Sequence, residues 1–379
     1  MQLLPSILVI SGTRPEIIKL APVYHALQKA GWAEVHWLHT GQHQDMATQM
    51  LEQFDIEPDH VLLREGSDLL DFAISCRRQL DGILSQRKWS LVVVQGDTES
   101  AFQGALAAFY HKVPIAHVEA GLRTNDLSFP FPEEGLRQMI SRLAQFHFAP
   151  TRRSQQALLN EGISEKRIYL TGNTVVDAQK WITARHGIRR TTQGRGQVLV
   201  TVHRRENWGS DLAEVCHAIA DIAHAHPDLQ ILFPVHLNPV VRGPVHDILQ
   251  GIANVALVAP LGYQQMQQAL MDAWLVLTDS GGLQEEAPTF GVPVLVLRNE
   301  TERPEAVEAG CALLIGPSRN AIVSEVNRLI NNPQAYAQMA QTSSPFGDGT
   351  AAEQIALLLA QFFSVKSPTQ ATEAEVALA

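Results

Sequence analysis

The clearest strand-and-turn unit of this sequence is Leu91-Val92-Val93-Val94-Gln95-Gly96-Asp97-Thr98. Its four consecutive apolar residues, three of them β-branched, predict a strand buried on both faces, as in a parallel sheet. The glycine and the acidic residue that follow predict a turn at the carboxyl end of the strand, and residues 99–111 predict a helix. This strand and this helix form one β-α unit, and the same order of strand and helix recurs along the rest of the chain.

The alternation of strands and helices continues in both directions from this unit. Predicted strands cover residues 7–10, 34–39, 91–94, 114–118, 146–149, 168–171, 197–202, 230–235, 255–258, 274–278 and 292–297. Predicted helices cover residues 15–30, 45–54, 68–86, 99–111, 133–145, 152–161 and 210–226. This order predicts an α/β protein with two Rossmann-like doubly wound domains facing a cleft.

A polar, glycine-rich stretch at residues 172–196 interrupts the alternation and predicts a domain junction. We expect the first domain to cover residues 1–170 and the second to cover residues 171–349. Residues 366–379 show no apolar periodicity, which predicts a frayed tail.

The amino-acid composition and net charge argue against several classes of protein. The 379 residues are 45% hydrophobic and 18% charged, which is typical of a globular protein, and the net charge of −10 argues against a basic footprint for nucleic acid or an acidic membrane. Three widely spaced cysteines indicate neither a disulfide framework nor a CxxC metal site. The first apolar run, residues 7–10, is too short for a membrane helix and lacks a basic leader, so we expect a cytoplasmic protein.

A glycine turn at residues 12–16, Gly-Thr-Arg-Pro-Glu, opens the first helix, with Pro15 suited to the first helical position. Backbone amides at the helix start, together with Arg14, predict an anion site. The alternative is an ordinary strand–helix turn. The motif is neither GxGxxG nor Walker A, so it does not support a dinucleotide or P-loop site.

Three carboxylates follow consecutive strands or open a helix: Asp97, Glu119 and Glu133. Carboxylates that share a cleft suit acid–base chemistry, because burial and neighbouring charge separate their pKa values. Helix capping is the alternative for Asp97 and Glu133, whereas Glu119 has no such explanation. No histidine lies at i, i+4 beside them, so we expect no metal.

The second half has two stretches suited to a nucleotide. His203, Arg204 and Arg205 follow a strand, and two arginines beside a histidine predict a diphosphate clamp, with a solvated charged turn as the alternative. Residues 279–286 run from a strand through Ser-Gly-Gly into a helix. Their amides suit phosphate and Glu286 suits a ribose diol, and the alternative is a glycine turn.

Together these motifs strongly resemble the bacterial non-hydrolysing UDP-N-acetylglucosamine 2-epimerases. The matching stretches, in family order over residues 7–350, are 12–16, 96–98, 117–124, 132–134, 171–174, 203–206, 279–286 and 301–305. The resemblance implies a glycosyltransferase-B-like fold with a helix at about 350–365 returning to the first domain. It also implies a UDP-sugar substrate, a homodimer and no cofactor.

The resemblance further implies that UDP leaves as the C2 proton is removed, giving a 2-acetamidoglucal, and adds back while C2 is protonated on the opposite face. The matching catalytic residues are Asp97, Glu119, Glu133 and His203. The matching UDP-binding residues are Arg14, Lys19, Arg137, His203, Ser280, Gly281, Gly282, Glu286 and Arg303. Acid and base roles among the three carboxylates stay undivided.

Some family members bind a second, activating substrate molecule, and the matching residues here are Gln42, His43, Arg77, Arg204 and His236. Asp45 stands where regulated members carry glutamine, which leaves activation open. Near the expected site, Ile17, Phe131, Gly135 and Leu136 also depart from the family pattern. The open alternatives are a hydrolysing epimerase, a 2-epimerase of a related UDP-acetamido sugar, a glycosyltransferase and a non-catalytic UDP-sugar sensor.

Overall fold

A computed structural model describes residues 4–42, 44–66, 68–192, 195–204 and 207–363. The predicted tail at 366–379 lies outside these residues. The chain forms two compact units: the first comprises residues up to Trp181 together with those from Phe346 onward, and the second runs from Ile182 to Pro345.

The thirteen strands of the described residues are β1 (Ser6–Ser11), β2 (Glu34–His39), β3 (His60–Val61), β4 (Leu91–Gln95), β5 (Ile115–Val118), β6 (Phe146–Ala149), β7 (Ile168–Leu170), β8 (Gln197–Thr201), β9 (Gln230–Pro234), β10 (Val255–Val258), β11 (Ala273–Thr278), β12 (Val294–Val296) and β13 (Ala312–Leu314). The helices are α1 (Arg14–Ala30), α2 (Gln44–Gln53), α3 (Leu69–Gln86), α4 (Glu99–Tyr110), α5 (Glu133–Leu143), α6 (Arg152–Asn160), α7 (Thr174–His186), α8 (Ser210–Ala225), α9 (Pro239–Leu249), α10 (Tyr263–Asp272), α11 (Gly281–Glu286), α12 (Pro304–Ala309), α13 (Arg319–Asn331), α14 (Pro333–Ala340) and α15 (Ala351–Phe362).

Each unit contains one parallel sheet. The first sheet has the order β3-β2-β1-β4-β5-β6-β7, and the second has the order β10-β9-β8-β11-β12-β13. The prediction of two doubly wound parallel domains is confirmed. Strand order reverses between β1 and β4 in the first sheet and between β8 and β11 in the second. Such reversals open a crevice at the carboxyl ends of the strands, and ligands bind there in doubly wound folds.

The central strands are buried as their sequences predict. Residues 7–10 of β1 and residues 91–94 of β4 have no exposed surface. They pair in register, with Ile7 opposite Leu91 and Val9 opposite Val93. Helices on both faces of the sheet cover these strands, so the turns that follow β1 and β4 start from a rigid base.

Two strands, β3 and β13, were missing from the sequence prediction. β3 contains two residues, one of them exposed, and shows no apolar run. β13 contains three residues within the apolar run of residues 311–315, which the prediction passed over. Their pairing with β2 and with β12 is what makes them strands.

The sequence placed a domain boundary near residue 170, whereas the two units divide within α7, between Trp181 and Ile182. The start of α7 is tied to the first unit by hydrogen bonds to the returning chain. The Asn173 amide donates to the Phe346 carbonyl at 2.7 Å, and the Ala352 amide donates to Asp177 Oδ1 at 2.8 Å.

The last described helix, α15, belongs to the first unit and packs against α1. Its apolar face includes Ile355 and Leu359, both without exposed surface. The Phe362 ring contacts the Phe146 ring edge-on, with centroids 4.7 Å apart. Burying two such aliphatic side chains contributes roughly 3–6 kcal/mol, which is enough to hold a short helix in place.

None of the helices in the described part of the chain has both the length and the apolar character needed to cross a membrane. Within the same residues, no group of three or more His, Cys, Asp or Glu side chains is arranged to hold a metal ion. Cys76, Cys216 and Cys311 are buried free thiols, and burial raises their pKa to about 12, 12 and 11.

Candidate active site

The turn after β1 is closed by the chain's own carboxylate. The amides of Gly12 and Thr13 donate to Oε2 of Glu16 at 3.0 and 2.7 Å, and the Thr98 hydroxyl donates to Oε1 at 2.8 Å. This corrects the expectation that these amides are free for an anion. Burial raises the pKa of Glu16 to about 7, although the hydrogen bonds from Thr13, Thr98 and Gly12 oppose the rise.

Arg14 is the group at this turn that stays available to an anion. It occupies the first position of α1 and is half-buried. Its guanidinium has no hydrogen-bond or ion-pair partner within the part of the chain that the structure describes. A cation at this position, above the carboxyl ends of β1 and β4, suits a phosphate group.

Glu119 lies directly after β5 and is held by three donors. Lys19 Nζ and Asn173 Nδ2 donate to Oε1, the latter at 3.2 Å, and Gln95 Nε2 donates to Oε2. The residue is buried and its backbone is left-handed, with φ of 60°. Such a φ is sparsely populated for a residue with a side chain and persists only where the surroundings impose it.

Asp97 follows β4 and pairs with Arg137 of α5, through Oδ2 and NH2. The same guanidinium lies 3.4 Å from the Glu134 carboxylate. Glu134 is fully buried and accepts the amides of Thr124 and Asn125 at 3.0 and 3.2 Å. Burial raises its pKa, yet these hydrogen bonds and Arg137 hold the pKa below the ordinary value.

Glu133 opens α5 next to this network. The residue is half-buried, and its Oε2 atom is buried with no hydrogen-bond partner among the described residues. An unpaired carboxylate oxygen inside a protein is costly unless a ligand or substrate group meets it. Helix capping therefore does not account for this side chain.

The three carboxylates belong to neighbouring parts of one sheet edge. Asp97 and Glu119 follow adjacent strands, and a Cβ on Gly96 would lie 3.8 Å from Glu119 Oε2. Arg137 joins Asp97 to the first turns of α5, where Glu133 lies. The first unit thus groups the acids that the sequence singled out.

In the second unit, Asp279 organises the turn after β8. This fully buried carboxylate accepts the amides of His203 and Arg204, at 3.0 and 2.9 Å through Oδ2, and Asn207 Nδ2 at 3.0 Å. His203 Nδ1 lies 3.3 Å from Asp279 Oδ1. The carboxylate fixes the backbone from which His203 and Arg204 project.

The His203 ring is exposed and stacks near His236, with centroids 6.3 Å apart. Partial desolvation lowers its pKa, Arg204 and His236 lower it further, and Asp279 opposes them. A Cβ on Gly281 would lie 3.7 Å from Arg204 NH2 and 4.0 Å from Arg303 Cζ. Two guanidinium groups therefore flank the start of α11, as a diphosphate site requires.

The Ser-Gly-Gly turn differs from expectation at its first residue. The Ser280 amide donates to the Thr278 hydroxyl at 2.9 Å, so it is occupied within the turn. Gly281 and Gly282 form the first turn of α11. Their amides have no partner among the described residues, which leaves two donors at the helix start.

Glu286 and Arg303 lie in hydrogen-bonded networks of the second unit. Glu286 is buried and accepts Gln267 Nε2 at 2.8 Å through Oε2. Arg303 Nε pairs with the buried carboxylate of Glu285. The Thr301 hydroxyl donates to Gln284 Oε1 at 2.5 Å, which ties the loop before α12 to α11.

The residues expected to bind an activating substrate are spread over both units. Gln42 Oε1 accepts the Ser100 hydroxyl at 2.6 Å, and Arg77 lies over the Tyr110 ring at 4.7 Å. Arg204 and His236 belong to the second unit. His43 lies outside the described residues, and the Asp45 side chain is not described.

Sequence reasoning missed five residues that build the site: Glu16, Gln95, Asn173, Asp279 and His117, whose Nε2 donates to the Gly96 carbonyl at 2.7 Å. Thr13 and Glu16 carry the Thr-x-x-Glu capping-box signature, which would have predicted that the turn after β1 is closed. The other four stand inside motifs already singled out, but their targets lie on other strands and were not readable locally.

The chain matches known proteins over most of its length. Residues 25–360 match the family model described as UDP-N-acetylglucosamine 2-epimerase. The chain is 45% identical over 365 residues to the UDP-N-acetylglucosamine 2-epimerase of Escherichia coli K12, covering 92% of this chain and 96% of that protein.

Solved structures show the same similarity. The UDP-GlcNAc 2-epimerase of Neisseria meningitidis bound to UDP-GlcNAc is 39% identical, with a TM-score of 0.85 over 94% of this chain and 100% of that one. S. aureus MnaA with UDP is 38% identical, with a TM-score of 0.84 over 96% and 98% of the two chains. Both structures hold uridine nucleotides.

Proposed function

The chain belongs to the UDP-N-acetylglucosamine 2-epimerase family, a family of isomerases, and from this premise we propose that it interconverts UDP-GlcNAc and UDP-ManNAc by elimination and re-addition of UDP. The C2 proton of the sugar is not acidic, because no carbonyl is attached to C2. Cleavage of the C1–O bond develops positive charge at C1 and so acidifies that proton.

In the proposed reaction a carboxylate takes the C2 proton while the electron pair of the C–H bond forms the C1=C2 double bond. The electrons of the C1–O bond leave with UDP. The resulting 2-acetamidoglucal is protonated at C2 on the opposite face as a phosphate oxygen of UDP bonds to C1 again. Two faces of one carbon require two proton-transfer groups, which is why a single carboxylate does not suffice.

The observation that carries the proposal is the grouping of Asp97, Glu119 and Glu133 in three different environments. Asp97 pairs with a guanidinium, Glu119 pairs with an ammonium, and Glu133 keeps one buried oxygen without a protein partner among the described residues. Carboxylates in distinct surroundings suit the different roles of an acid and a base in one reaction.

Other groups are proposed to bind UDP. In the first unit, Arg14 offers a guanidinium that has no hydrogen-bond or ion-pair partner among the residues that the structure describes. In the second unit, His203, Arg204 and Arg303 surround the helix start whose two glycine amides are free of partners within the described residues. Glu286 supplies a buried acceptor for ribose hydroxyls. Cations and amides are the groups that bind a diphosphate in proteins.

The test is incubation with UDP-GlcNAc in D2O, followed by proton and phosphorus NMR. We expect UDP-ManNAc to form, deuterium to enter C2 of both recovered substrate and product, and free UDP to stay substoichiometric. Free ManNAc with stoichiometric UDP would identify a hydrolysing enzyme. Turnover that retains the original C2 hydrogen would exclude elimination.

We also propose that the protein is a homodimer, as the family resemblance implies. Exposed apolar side chains on the outer surface of α3 and at the end of α4 support an interface there. Ile74 and Leu70 of α3 are 53% and 69% exposed, and Tyr110 of α4, which Arg77 covers on one face, is 67% exposed. Contiguous apolar side chains on a surface mark contact sites. Light scattering on the wild type and on Ile74→Glu tests this, and a wild-type monomer would refute it.

A further inference from the structure

We propose that His117 and Glu16 are positioning residues for Asp97. Each forms a hydrogen bond to a neighbour of Asp97 in the sequence: His117 to Gly96 and Glu16 to Thr98. The inference rests on the proposed function, because it assumes that the Asp97 carboxylate works on the sugar. It goes beyond that function by naming which buried groups place the carboxylate.

His117 holds the residue before Asp97. It lies in the middle of β5, opposite Val94 of β4, and its Nε2 atom is 2.7 Å from the Gly96 carbonyl oxygen. A carbonyl oxygen only accepts, so Nε2 carries the proton and donates. Nδ1 is buried and has no hydrogen-bond partner among the described residues. Burial lowers the pKa of His117 to about 3, so the ring stays neutral and keeps this tautomer at physiological pH.

Glu16 holds the residue after Asp97. The Thr98 hydroxyl oxygen accepts the Ala101 amide at 3.1 Å as the cap of α4 and donates its hydrogen to Glu16 Oε1 at 2.8 Å. Glu16 in turn is fixed by the amides of Gly12 and Thr13. The hydroxyl therefore links the turn after β4 to the turn after β1, with every donor and acceptor oriented.

These two contacts restrain a turn that is also held by the Gly96 amide, which donates to the Val118 carbonyl at 3.1 Å, and by the ion pair of Asp97 with Arg137. Gly96 has a positive φ of 70°, which gives the turn a conformation that residues with side chains rarely adopt. Asp97 itself is partly exposed, and it forms an ion pair with Arg137. Because His117 and Glu16 are both essentially inaccessible to water, the restraint comes from the rigid interior. A displacement of a catalytic group by ~1 Å can cost about 10²-fold in rate.

The competing explanation is purely structural: Glu16 and Thr98 cap α1 and α4, and His117 satisfies a buried carbonyl. On that explanation, losing the contacts lowers stability but leaves kcat unchanged at temperatures where the protein is folded. A positioning role instead lowers kcat while KM and UDP affinity hold, because neither Thr98 nor His117 forms a hydrogen bond to a proposed UDP-binding side chain among the described residues.

The experiment uses two matched pairs of variants in the full chain. Thr98→Val removes the hydroxyl and keeps the shape, whereas Thr98→Ser restores the hydroxyl. His117→Leu removes the ring donor, whereas His117→Gln places an amide N–H at a similar distance. For Val and Leu we expect kcat to fall by about 10- to 100-fold, with UDP affinity within about threefold of wild type. Ser and Gln should recover most of the loss.

Two controls separate the outcomes. Asp68 caps α3, because its side chain accepts the Asp71 amide at 2.8 Å. Asp68→Ala removes this cap and should lower the melting temperature without lowering kcat. Asp97→Asn tests the proposed function itself. If Asp97→Asn keeps its turnover, the catalytic assignment fails; if it loses turnover while folded Thr98→Val keeps kcat within about threefold, the positioning role is overturned. Should His117→Leu not fold, the threonine pair decides alone.

Discussion

Lys19 in α1 forms a buried ion pair with Glu119, which follows β5 and lies 100 residues later in the sequence. The sequence marked Lys19 as a cation for UDP. The structure places its ammonium on a carboxylate of the candidate acid–base group instead, so its charge acts on Glu119 in the absence of ligand. A buried charge whose partner is removed is strongly destabilising, which makes this pair testable by mutation.

We predict that Lys19→Met lowers the free energy of unfolding by ~3–5 kcal/mol, because it leaves the buried Glu119 carboxylate without its countercharge. In a Glu119→Gln background the same substitution should cost clearly less, since no charge is left to compensate. Urea unfolding of the wild type, both single variants and the double variant gives the coupling energy. Additive single effects would mean that the two side chains do not interact.

A second prediction concerns the three carboxylates. Asp97→Asn, Glu119→Gln and Glu133→Gln keep the shape of each side chain but remove its ability to exchange a proton. Turnover should fall by at least the ~10²–10⁴-fold that general acid–base catalysis supplies, while UDP affinity stays near wild type. Some variants should release UDP and the glucal, because blocked re-addition strands the intermediate.

The matched control for these amides is Asp81→Asn, which alters an exposed carboxylate paired with His111 at 2.7 Å in the same unit. It should leave turnover unchanged. Calorimetric titration with UDP and a turnover assay on each variant complete the measurement. Near-normal turnover in all three site variants would remove these carboxylates from the reaction.

A third prediction concerns Glu286, which is buried in the second unit and accepts Gln267 Nε2 at 2.8 Å. Glu286→Ala removes the acceptor proposed for the ribose hydroxyls. Hydrogen bonds to a charged group are worth ~1.5–3 kcal/mol, so UDP affinity should fall roughly ten- to a hundredfold. Glu300→Ala, an exposed carboxylate of the same unit, serves as the control in calorimetry. An unchanged dissociation constant for Glu286→Ala would exclude it from the nucleotide site.

The sequence was sufficient to predict the buried strands that consist of consecutive apolar residues. β4 has four apolar residues in a row, and it is buried as predicted. β13 lies within the apolar run of residues 311–315, a signal in the sequence that the prediction missed. β3 has two residues and no apolar run, and it is a strand because it pairs with the edge of β2. Short edge strands of this kind depend on tertiary pairing and are missed by local reasoning.

The residues of the site also differ in whether the sequence alone could predict them. Asp97, Glu119 and Glu133 were predictable because each follows a strand or opens a helix. The partners of Glu119 were not, since Lys19, Gln95 and Asn173 come from three distant segments that only the folded sheet brings together. The motif around Ser280 predicts that its amide is a free donor. In the structure, the Thr278 hydroxyl, two residues earlier, accepts the hydrogen bond from that amide.

The last prediction is a pH dependence centred on Asp177, which caps the returning helix through the Ala352 amide at 2.8 Å. Burial raises the pKa of Asp177 from 3.8 to about 6, against the lowering effect of the Ala352 and Ala351 amides. Between these pH values the unfolded chain has lost the proton and the folded chain still holds it. Folding therefore binds a proton in this window, and stability falls as pH rises from about 4 to about 6.

Asp177→Asn removes this titration and keeps an oxygen for the Ala352 amide. Relative to the variant, the wild type should lose up to ~3 kcal/mol of unfolding free energy between pH 4 and pH 6.5, and the difference should stay constant above that. Urea unfolding at fixed ionic strength across this range measures it, with Asp81→Asn as the exposed control. Asp177 Oδ2 is buried without a hydrogen-bond partner among the described residues, so the amides of Ala352 and Ala351 offset only part of the effect of burial on the pKa. A wild-type stability that does not change relative to that of the variant, or that rises relative to it between pH 4 and pH 6.5, would contradict the raised pKa.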